Sequence, residues 1–409
     1  MGFITESFLD AKGKLVEGGA ERQLLHLIGV ARDLGADVSV YQRGPHTWQG
    51  NYEGIPVMAQ PSRLSALGRT LGRRAVSDGC THLHFQYLER VPWHQRGPRV
   101  TATAHAVYWD IPYVACYRQW YPGGMAGALA LPAWRVHQLV RTLLAVGRCE
   151  RVLTTDTTLL RIVQACRPAI RQRLEVVPNF TDLHDDVCDQ SAGSTNPAMS
   201  ELLVGRAQGH VVVLVPRNLS FVRGGAWLCQ IVRLATDTTE GKQCHFFVTG
   251  VAVDVYGYAS RYRKLFQDQV DALPAEARRR IHVLGGVPRA AMRTAYQASD
   301  IVLIPTFAHE GTSLAALEAM GAGVPVVATN VGGLNDVVQH GVTGLLVPPS
   351  PQALADALMQ LAGDPGLRTR LGAEGQRLAM ATFSHQRWRE RAEAFGRRAG
   401  WAAQEVFIE

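Results

Sequence analysis

The stretch DIVLIPTFAHEGTSLAALEAMGAGVPVVAT, residues 300–329, holds two apolar runs with a helix-forming segment between them. DIVLIP (300–305) is rich in branched apolar side chains and too short for a stable helix, so it reads as a buried strand. LAALEAMGAG follows. Its Leu, Ala, Glu and Met favour a helix of about two turns, and the glycines from Gly321 to Gly323 end it. VPVVAT (324–329) is a second strand. Strand, helix and strand in this order make a βαβ unit with parallel strands.

The same alternation extends in both directions. HVVVLVPR (210–217), CHFFVTG (244–250), RIHVLGGV (280–287) and GLLVPP (344–349) are further near-continuous apolar strands. Strands without polar alternation are expected where helices cover both faces of a sheet. An earlier cycle precedes them. In GGAERQLLHLIGVARDLGADVSVYQ, Leu24, Leu25, Leu27, Ile28, Val30 and Ala31 fit an amphipathic helix, Gly35 breaks it, and residues 38–41 form a strand. THLHFQY (81–87), RVTATAHA (99–106) and RVLTTD (151–156) continue this cycle, and EVVPNFTDLHDDV (175–187) ends it. A polar segment at 188–197 reads as a surface connection. Residues 351–400 are helical by periodicity, with breaks at Gly363–Pro365 and near Phe383-Ser384. The fold class is therefore α/β, with two doubly wound halves, the second starting near residue 200. A chain of 409 residues with 47% hydrophobic content can fill two such cores.

Composition narrows the function. The formal charge is +7, but the arginines are dispersed and no basic stripe interleaved with aromatics appears, which argues against nucleic acid. Seven scattered cysteines, without a CxxC pair, fit buried thiols better than disulfides or zinc. No apolar run is long enough to span a bilayer, and the opening MGFITESF lacks a secretory pattern, so a soluble, cytoplasmic protein is expected.

The loop after DIVLIP carries the candidate chemistry. Thr312 or Ser313 would cap the helix, whose free N–H groups and positive dipole end would then lie at the carboxyl end of a strand. That is a site for a phosphate or diphosphate, and Gly311 lets a ligand approach the backbone. Glu310 and Glu318 flank it. Carboxylates repel phosphate but accept hydrogen bonds from hydroxyls, so a diphosphate between two polyols, a nucleotide sugar, reconciles the two. Glu318 strengthens the reading, because an unpaired carboxylate in so apolar a helix is costly.

Glu310 and Glu318, with GTS between them and EAMGAGVPVVAT after, resemble the E-x7-E signature of the retaining glycosyltransferase family 4. EGGAERQLLHL, VLVPRNLSFVRGG, VPNFTDL and FSHQRWRERAEAF resemble other segments of that family. The resemblance implies a GT-B fold, two Rossmann-like parallel-sheet domains facing across a cleft. Residues 1–185 would form the acceptor-binding domain, with a carboxyl-terminal helix at 384–400 packing back on it, and residues 200–383 the donor-binding domain. It implies transfer of a sugar, with retention, from a UDP- or GDP-linked donor to a small soluble acceptor, in a biosynthetic pathway such as that of a natural product. The nucleotide sugar is a co-substrate, and neither a cofactor nor a metal is implied.

By the same resemblance Glu310 contacts the donor sugar and Glu318 the ribose. The backbone of Gly311, Thr312, Ser313 and Leu314 cradles the diphosphate. Arg217 and Arg223 neutralise it, Arg223 standing where the family has lysine, in a loop one residue longer. Gly18 and Gly19 form a loop facing the diphosphate, and His105 contacts the donor sugar. Residues 108–134, rich in Tyr, Trp, Pro and Gly, are expected to shape the acceptor pocket. The helix at 132–148 is read as core-facing with an arginine-rich outer face, and membrane association through it is the lesser reading. No feature of the sequence specifies an oligomeric state. Two alternatives are a nucleotide-sugar epimerase or hydrolase of the same fold, and a non-catalytic nucleotide-binding protein.

Two expectations follow for the protein in solution. Glu310→Gln should abolish turnover and leave the fold intact. Turnover should also survive a chelator, since arginines supply the charge at the leaving group; loss of activity with EDTA and its recovery with magnesium or manganese would refute this.

Overall fold

A computed structural model of the chain describes residues 1–10, 12–16, 18–92, 97–107, 109, 131–181, 197–218, 220–250, 259–308 and 310–402. The polar connection at 188–197 and most of the segment 108–134 lie outside the described residues. The chain divides into two units. The first comprises Met1–Val107, Arg135–Asn179 and Gln386–Glu409, the second Tyr108–Trp134 and Phe180–His385.

The first unit is built on eight strands: β1 (Gly2–Thr5), β2 (Ser39–Arg43), β3 (Trp48–Tyr52), β4 (Ile55–Gln60), β5 (His82–Phe85), β6 (Arg99–Ala104), β7 (Arg151–Thr154) and β8 (Leu174–Val176). Their order is β3-β4-β2-β1-β5-β6-β7-β8, parallel throughout except for the β3–β4 hairpin. Helices α1 (Gly19–Asp33), α2 (Leu67–Ser77) and α3 (Leu131–Val146) belong to this part of the chain. The second sheet contains β9 (Val211–Val215), β10 (Cys244–Val248), β11 (Ile281–Val283), β12 (Ile301–Ile304), β13 (Val326–Thr329) and β14 (Gly344–Val347), in the order β11-β10-β9-β12-β13-β14, all parallel. With it go α4 (Ala226–Thr236), α5 (Arg289–Gln297), α6 (Leu314–Gly321), α7 (Pro351–Gly363) and α8 (Pro365–Thr382).

β9 shows why these strands carry no polar alternation. Val211, Val213 and Val215 pack into one core with α4 and α7, while Val212 and Leu214 pack into the other with α5 and α6. Every residue of VVVLV is buried because each face meets a helix layer. Each such side chain contributes about 1.5–3 kcal/mol relative to exposure. A last helix, α9 (His385–Arg398), lays the buried Trp388 and Phe395 into the first unit, with Trp388 edge-on to His26 of α1 and Arg389 2.5 Å from Asp33.

Two elements escape the sequence reading. β1 is a four-residue strand, too short to register as a run. The β3–β4 hairpin turns through Glu53 and Gly54, both at positive φ, with Asn51 accepting a hydrogen bond from the Gly54 N–H. Positive φ at both central residues is the geometry of a two-residue hairpin, and β4 alternates buried and half-buried positions from Ile55 to Gln60. A third reading is corrected. The outward face of α3 is apolar rather than arginine-rich: Trp134, Val136 and Val140 are exposed, while Arg141 is half-buried and donates to the Glu89 carbonyl at 3.2 Å. Among the described residues no helix is long and apolar enough to cross a membrane.

The first sheet buries two histidines. His84 bonds through Nδ1 to Thr101 Oγ1 and through Nε2 to Thr103 Oγ1, both at 3.0 Å, and Trp401 lies edge-on to its ring. Burial pushes the His84 imidazole down to about 3 and that of His82 to about 4. Both folded values lie below the unfolded value, so the unfolded chain binds more protons as the solution is acidified. This stabilisation is complete above about pH 6.5 and is lost as pH falls toward 4 and 3, by about 1.4 kcal/mol per tenfold change in proton affinity. Thermal midpoints should therefore be flat from pH 7 to 8 and fall from pH 6.5 to 4. In His84→Gln the midpoint at pH 7 should be lower and the fall shallower; an undiminished fall would remove His84 from this account.

Candidate active site

In the second sheet β9 is flanked by β10 on one side and β12 on the other, so the chain reverses its direction of winding there. Ligands of open α/β sheets bind in the crevice such a switch leaves at the carboxyl ends of the strands. The residues leaving β9 and β12 at that end are Pro216-Arg217 and Pro305-Thr306. They meet. Arg217 Nη2 donates to Glu310 Oε2 at 2.5 Å and to Thr306 Oγ1 at 3.1 Å, and its Nη1 lies 3.4 Å from Ser313 Oγ. Arg223 Nη1 reaches the same carboxylate oxygen at 3.2 Å. Arg217 is 7% exposed and Glu310 5%.

Local structure holds these groups. The segment before α4 forms a π-type turn, Phe221–Gly225, closed by the Gly225 N–H donating to the Ser220 carbonyl at 3.1 Å. Single π-type turns of this kind are frequent at functional sites. Gly224 sits at φ +87, and a Cβ there would come within 2.3 Å of the Pro305 carbonyl oxygen. The Phe307 N–H donates to the Val222 carbonyl, tying this turn to the segment after β12. Behind Glu310, the Gly333 N–H donates to its carbonyl at 2.9 Å, and Gly332, at φ +50, leaves no room for a Cβ. Thr306 and the Gly332-Gly333 pair were not assigned roles from sequence. Only their positions just beyond strand ends mark them.

Burial raises the proton affinity of Glu310, but Arg217 and Arg223, with hydrogen bonds from Ser313 and Arg217, outweigh it and hold the carboxyl below its ordinary range. Burial, with Arg223 adding to it, pushes Arg217 down to about 10, against the pull of Glu310, so it stays charged at neutral pH. Two cations and one anion leave the cluster with one net positive charge. Arg217 Nε is buried and has no partner among the described residues. Ser313 is the N-cap of α6 without a side-chain cap bond, so the first N–H groups of that helix are open to a ligand. Thr312 and Ser313 are buried, Gly311 and Leu314 half-buried. His309 lies outside the described residues.

Glu318 corrects the expectation of an unpaired carboxylate. Its Oε2 accepts from the Tyr296 hydroxyl at 2.9 Å, and Arg289 Nη1 is 3.4 Å from Oε1, both on α5. Its place in an apolar helix thus has partners within the chain. A carboxylate still has acceptor sites to spare.

The remaining candidates belong to the first unit. Gly18 is the N-cap of α1, and a Cβ there would lie 2.1 Å from Glu21 Oε2. The folded-back Glu21, which also accepts from Ser7 Oγ at 2.9 Å, is therefore one reason for glycine. Gly19 is exposed. His105 follows β6, with its ring 5.3 Å from that of Tyr87. Burial pushes it down to about 4 against a hydrogen bond to the Gln86 backbone. Nε2 is buried without a partner among the described residues. The Gln86 bond therefore uses Nδ1, and the neutral ring presents an Nε2 lone pair.

Residues 210–364 match the family described as Glycosyl transferases group 1. A D-inositol 3-phosphate glycosyltransferase of Xylanimonas cellulosilytica is 42% identical over 426 residues, 96% of this chain and 93% of the relative. With the one from Corynebacterium glutamicum the match is 44% over 107 residues, only 25% of that relative's length. Among solved structures, sucrose-phosphate synthase from Thermosynechococcus elongatus superposes with TM-score 0.73 at 18% identity, over 98% of this chain and 99% of the other. Anabaena HepE in complex with UDP-glucose gives TM-score 0.68 at 19% identity, over 96% and 98%. These likenesses establish the GT-B fold.

The buried cluster revises the expectation for Glu310→Gln. Removing the carboxylate charge leaves two adjacent guanidiniums uncompensated, and breaking a buried pair in this way costs about 3–5 kcal/mol. Glu310→Gln should lower the thermal midpoint clearly, whereas Arg223→Ala, with its side chain 39% exposed, should change stability by less than about 1 kcal/mol. Equal midpoints for Glu310→Gln and the parent protein would show that the pair contributes nothing to the fold.

Proposed function

Because this chain belongs to the group 1 glycosyltransferase family, we propose that it is a retaining, metal-independent glycosyltransferase of the cytoplasm. It moves a sugar from a nucleotide-diphosphate donor to a hydroxyl of a small acceptor. The observation that carries this reading is the net-positive Arg217–Glu310–Arg223 cluster beside the open N-terminus of α6 at the switch point of the second sheet. The HepE complexes of similar fold, one with UDP and one with UDP-glucose, favour a UDP-sugar. The full-length relative's name makes a phosphorylated cyclitol the acceptor class to test first.

In this reading the second unit binds the donor. The α6 amides around Gly311, Thr312, Ser313 and Leu314 receive the diphosphate, and Arg223 and the free Nε of Arg217 meet it. As the glycosidic bond breaks, negative charge grows on the leaving diphosphate, and cations already fixed in a dry site stabilise it without reorganising. Glu310 has two jobs: one oxygen holds both guanidiniums in place, and the other accepts from a sugar hydroxyl. Glu318, steadied by Tyr296 and Arg289, accepts from the ribose. The first unit binds the acceptor, and its Gly18, Gly19 and the neutral Nε2 of His105, which can accept from a hydroxyl, are its candidate contacts with substrate. Retention is written as front-face transfer, the departing phosphate oxygen taking the acceptor's proton.

UDP-glucose and a panel of UDP- and GDP-sugars, each incubated with and without an inositol phosphate, test this. Release of nucleoside diphosphate should require acceptor, and the product should keep the donor's anomeric configuration by NMR coupling constants. Arg223→Ala should lower kcat/KM by about 10–100-fold, the value of a charge-assisted contact made in the transition state. Donor consumption that is indifferent to acceptor, or an inverted product, would overturn the proposal.

A further inference from the structure

The first sheet has a switch point of its own. β1 lies between β2 and β5, so the segments leaving β1 and β5 flank a crevice at the carboxyl ends of the strands. There the structure forms a cleft lined by Leu64, Ser65, Gly68 and Arg69 of α2 and the segment before it, by Glu89 and Arg90 after β5, and by Arg141 of α3. Its cavity volume is about 50 Å³, and it opens to solvent at its mouth. We propose that this cleft is the subsite for a phosphomonoester on the acceptor, with Arg69, Arg141 and the start of α2 as its donors and Glu89 at its floor.

The charges support an anion. Arg90 is neutralised within the chain, 2.6 Å from Glu6, and also donates to the Leu64 carbonyl. Arg69 has no ion pair among the described residues. Arg141 donates to the Glu89 carbonyl at 3.2 Å and pairs with no carboxylate among the described residues. Arg148 lines the adjoining recess beside Glu89 and Arg141. The N-cap of α2 is Ala66, which makes no side-chain cap bond; the Leu67 N–H is taken by the Leu64 carbonyl at 3.4 Å, and the cleft opens onto Gly68 and Arg69, the next residues of that first turn. Free amides at a helix start and unpaired guanidiniums together bind tetrahedral dianions well.

Glu89 is the one group that opposes this, and its environment supplies the resolution. Burial pushes its carboxyl up to about 7. Glu6 adds to the rise, while Arg90, Arg141 and the residue's own backbone N–H pull the other way. A dianion entering the cleft raises it further, so filling the site takes up a proton from solvent. The protonated carboxyl then donates to an anion oxygen where the carboxylate would repel it. Occupancy is therefore tighter below pH 7 than above it.

Calling the bound group the acceptor's rests on the glycosyltransferase reading; the anion site itself does not, and the test separates them. Sulfate is the probe, because it does not titrate in this range. Calorimetry on the full-length protein should show sulfate binding that weakens about tenfold from pH 6 to pH 8, as expected for one linked proton. Glu89→Gln should bind sulfate at pH 8 as tightly as at pH 6. Arg69→Ala, an exposed position that leaves the fold alone, should weaken it about tenfold at either pH. Glycerol 3-phosphate should compete with sulfate, and glycerol should not. Absence of sulfate binding, indifference to Arg69→Ala, or a pH slope that survives Glu89→Gln overturns the proposal. UDP binding, measured in the same samples, should be unchanged by both variants. If UDP fails to bind while sulfate behaves as stated, the glycosyltransferase reading falls and the anion site stands.

Discussion

A carboxylate and a guanidinium cannot leave water singly. The burial of Glu310 against Arg217 is the constraint on which the second unit is arranged. A lone buried charge of either sign costs several kcal/mol, so the two groups require each other, in fixed geometry. That requirement sets β9 beside β12. It also explains Thr306 and Ser313 as hydrogen-bond partners, Gly332 and Gly333 as the backing for Glu310, and the π-type turn that brings in Arg223. The pair alone would be neutral. Arg223 tips the cluster positive, and because it is the exposed member it can face a ligand.

Both units place arginines and a glutamate at the point where the winding of a parallel sheet reverses. The physics is shared. Helices cover both faces, so the carboxyl edge is the only part of the sheet where polar groups can gather without displacing the core, and helix N-termini there add positive potential. The balance differs. In the second unit the glutamate is ion-paired and held below its ordinary range, so it behaves as a permanent charge that positions cations. In the first, Glu89 has no salt bridge among the described residues and burial pushes its carboxyl up to about 7, so it can change state when a ligand arrives. The distance to a guanidinium decides which behaviour a buried glutamate has.

Much of the fold is legible in the sequence because its signals are local. Continuous runs such as VVVLV and IVLI, separated by helical periods and glycine stops, declare parallel strands covered on both faces. Breaks at Gly363–Pro365 and Phe383-Ser384 fall where the structure ends α7 and α8. The misses are local too. GFIT is too short to stand out as a run, and the Glu53-Gly54 turn lacks the Asn or Asp that usually marks a two-residue hairpin. The outward face of α3 was misread because periodicity reveals that a helix has two faces but not which one meets the core, and Arg141 turns inward to the Glu89 carbonyl.

The sequence by itself offered places where chemistry could sit: Glu310 and Ser313 from the pattern beyond an apolar strand, and Arg217 and His105 from the family resemblance. Strand ends and helix starts follow from neighbours within a few residues, so they can be read in order along the chain. Only the tertiary structure decided what those residues do to one another. Arg217 and Glu310 are separated by 93 positions and meet because β9 and β12 are adjacent in the sheet order. Glu318, which the sequence offered as unpaired, finds Tyr296 and Arg289 on another helix. His105 becomes a neutral acceptor because Gln86 takes its other nitrogen. Charge state and pairing depend on distances across the fold and on exclusion of water, and neither quantity exists until strands far apart in the chain are packed side by side.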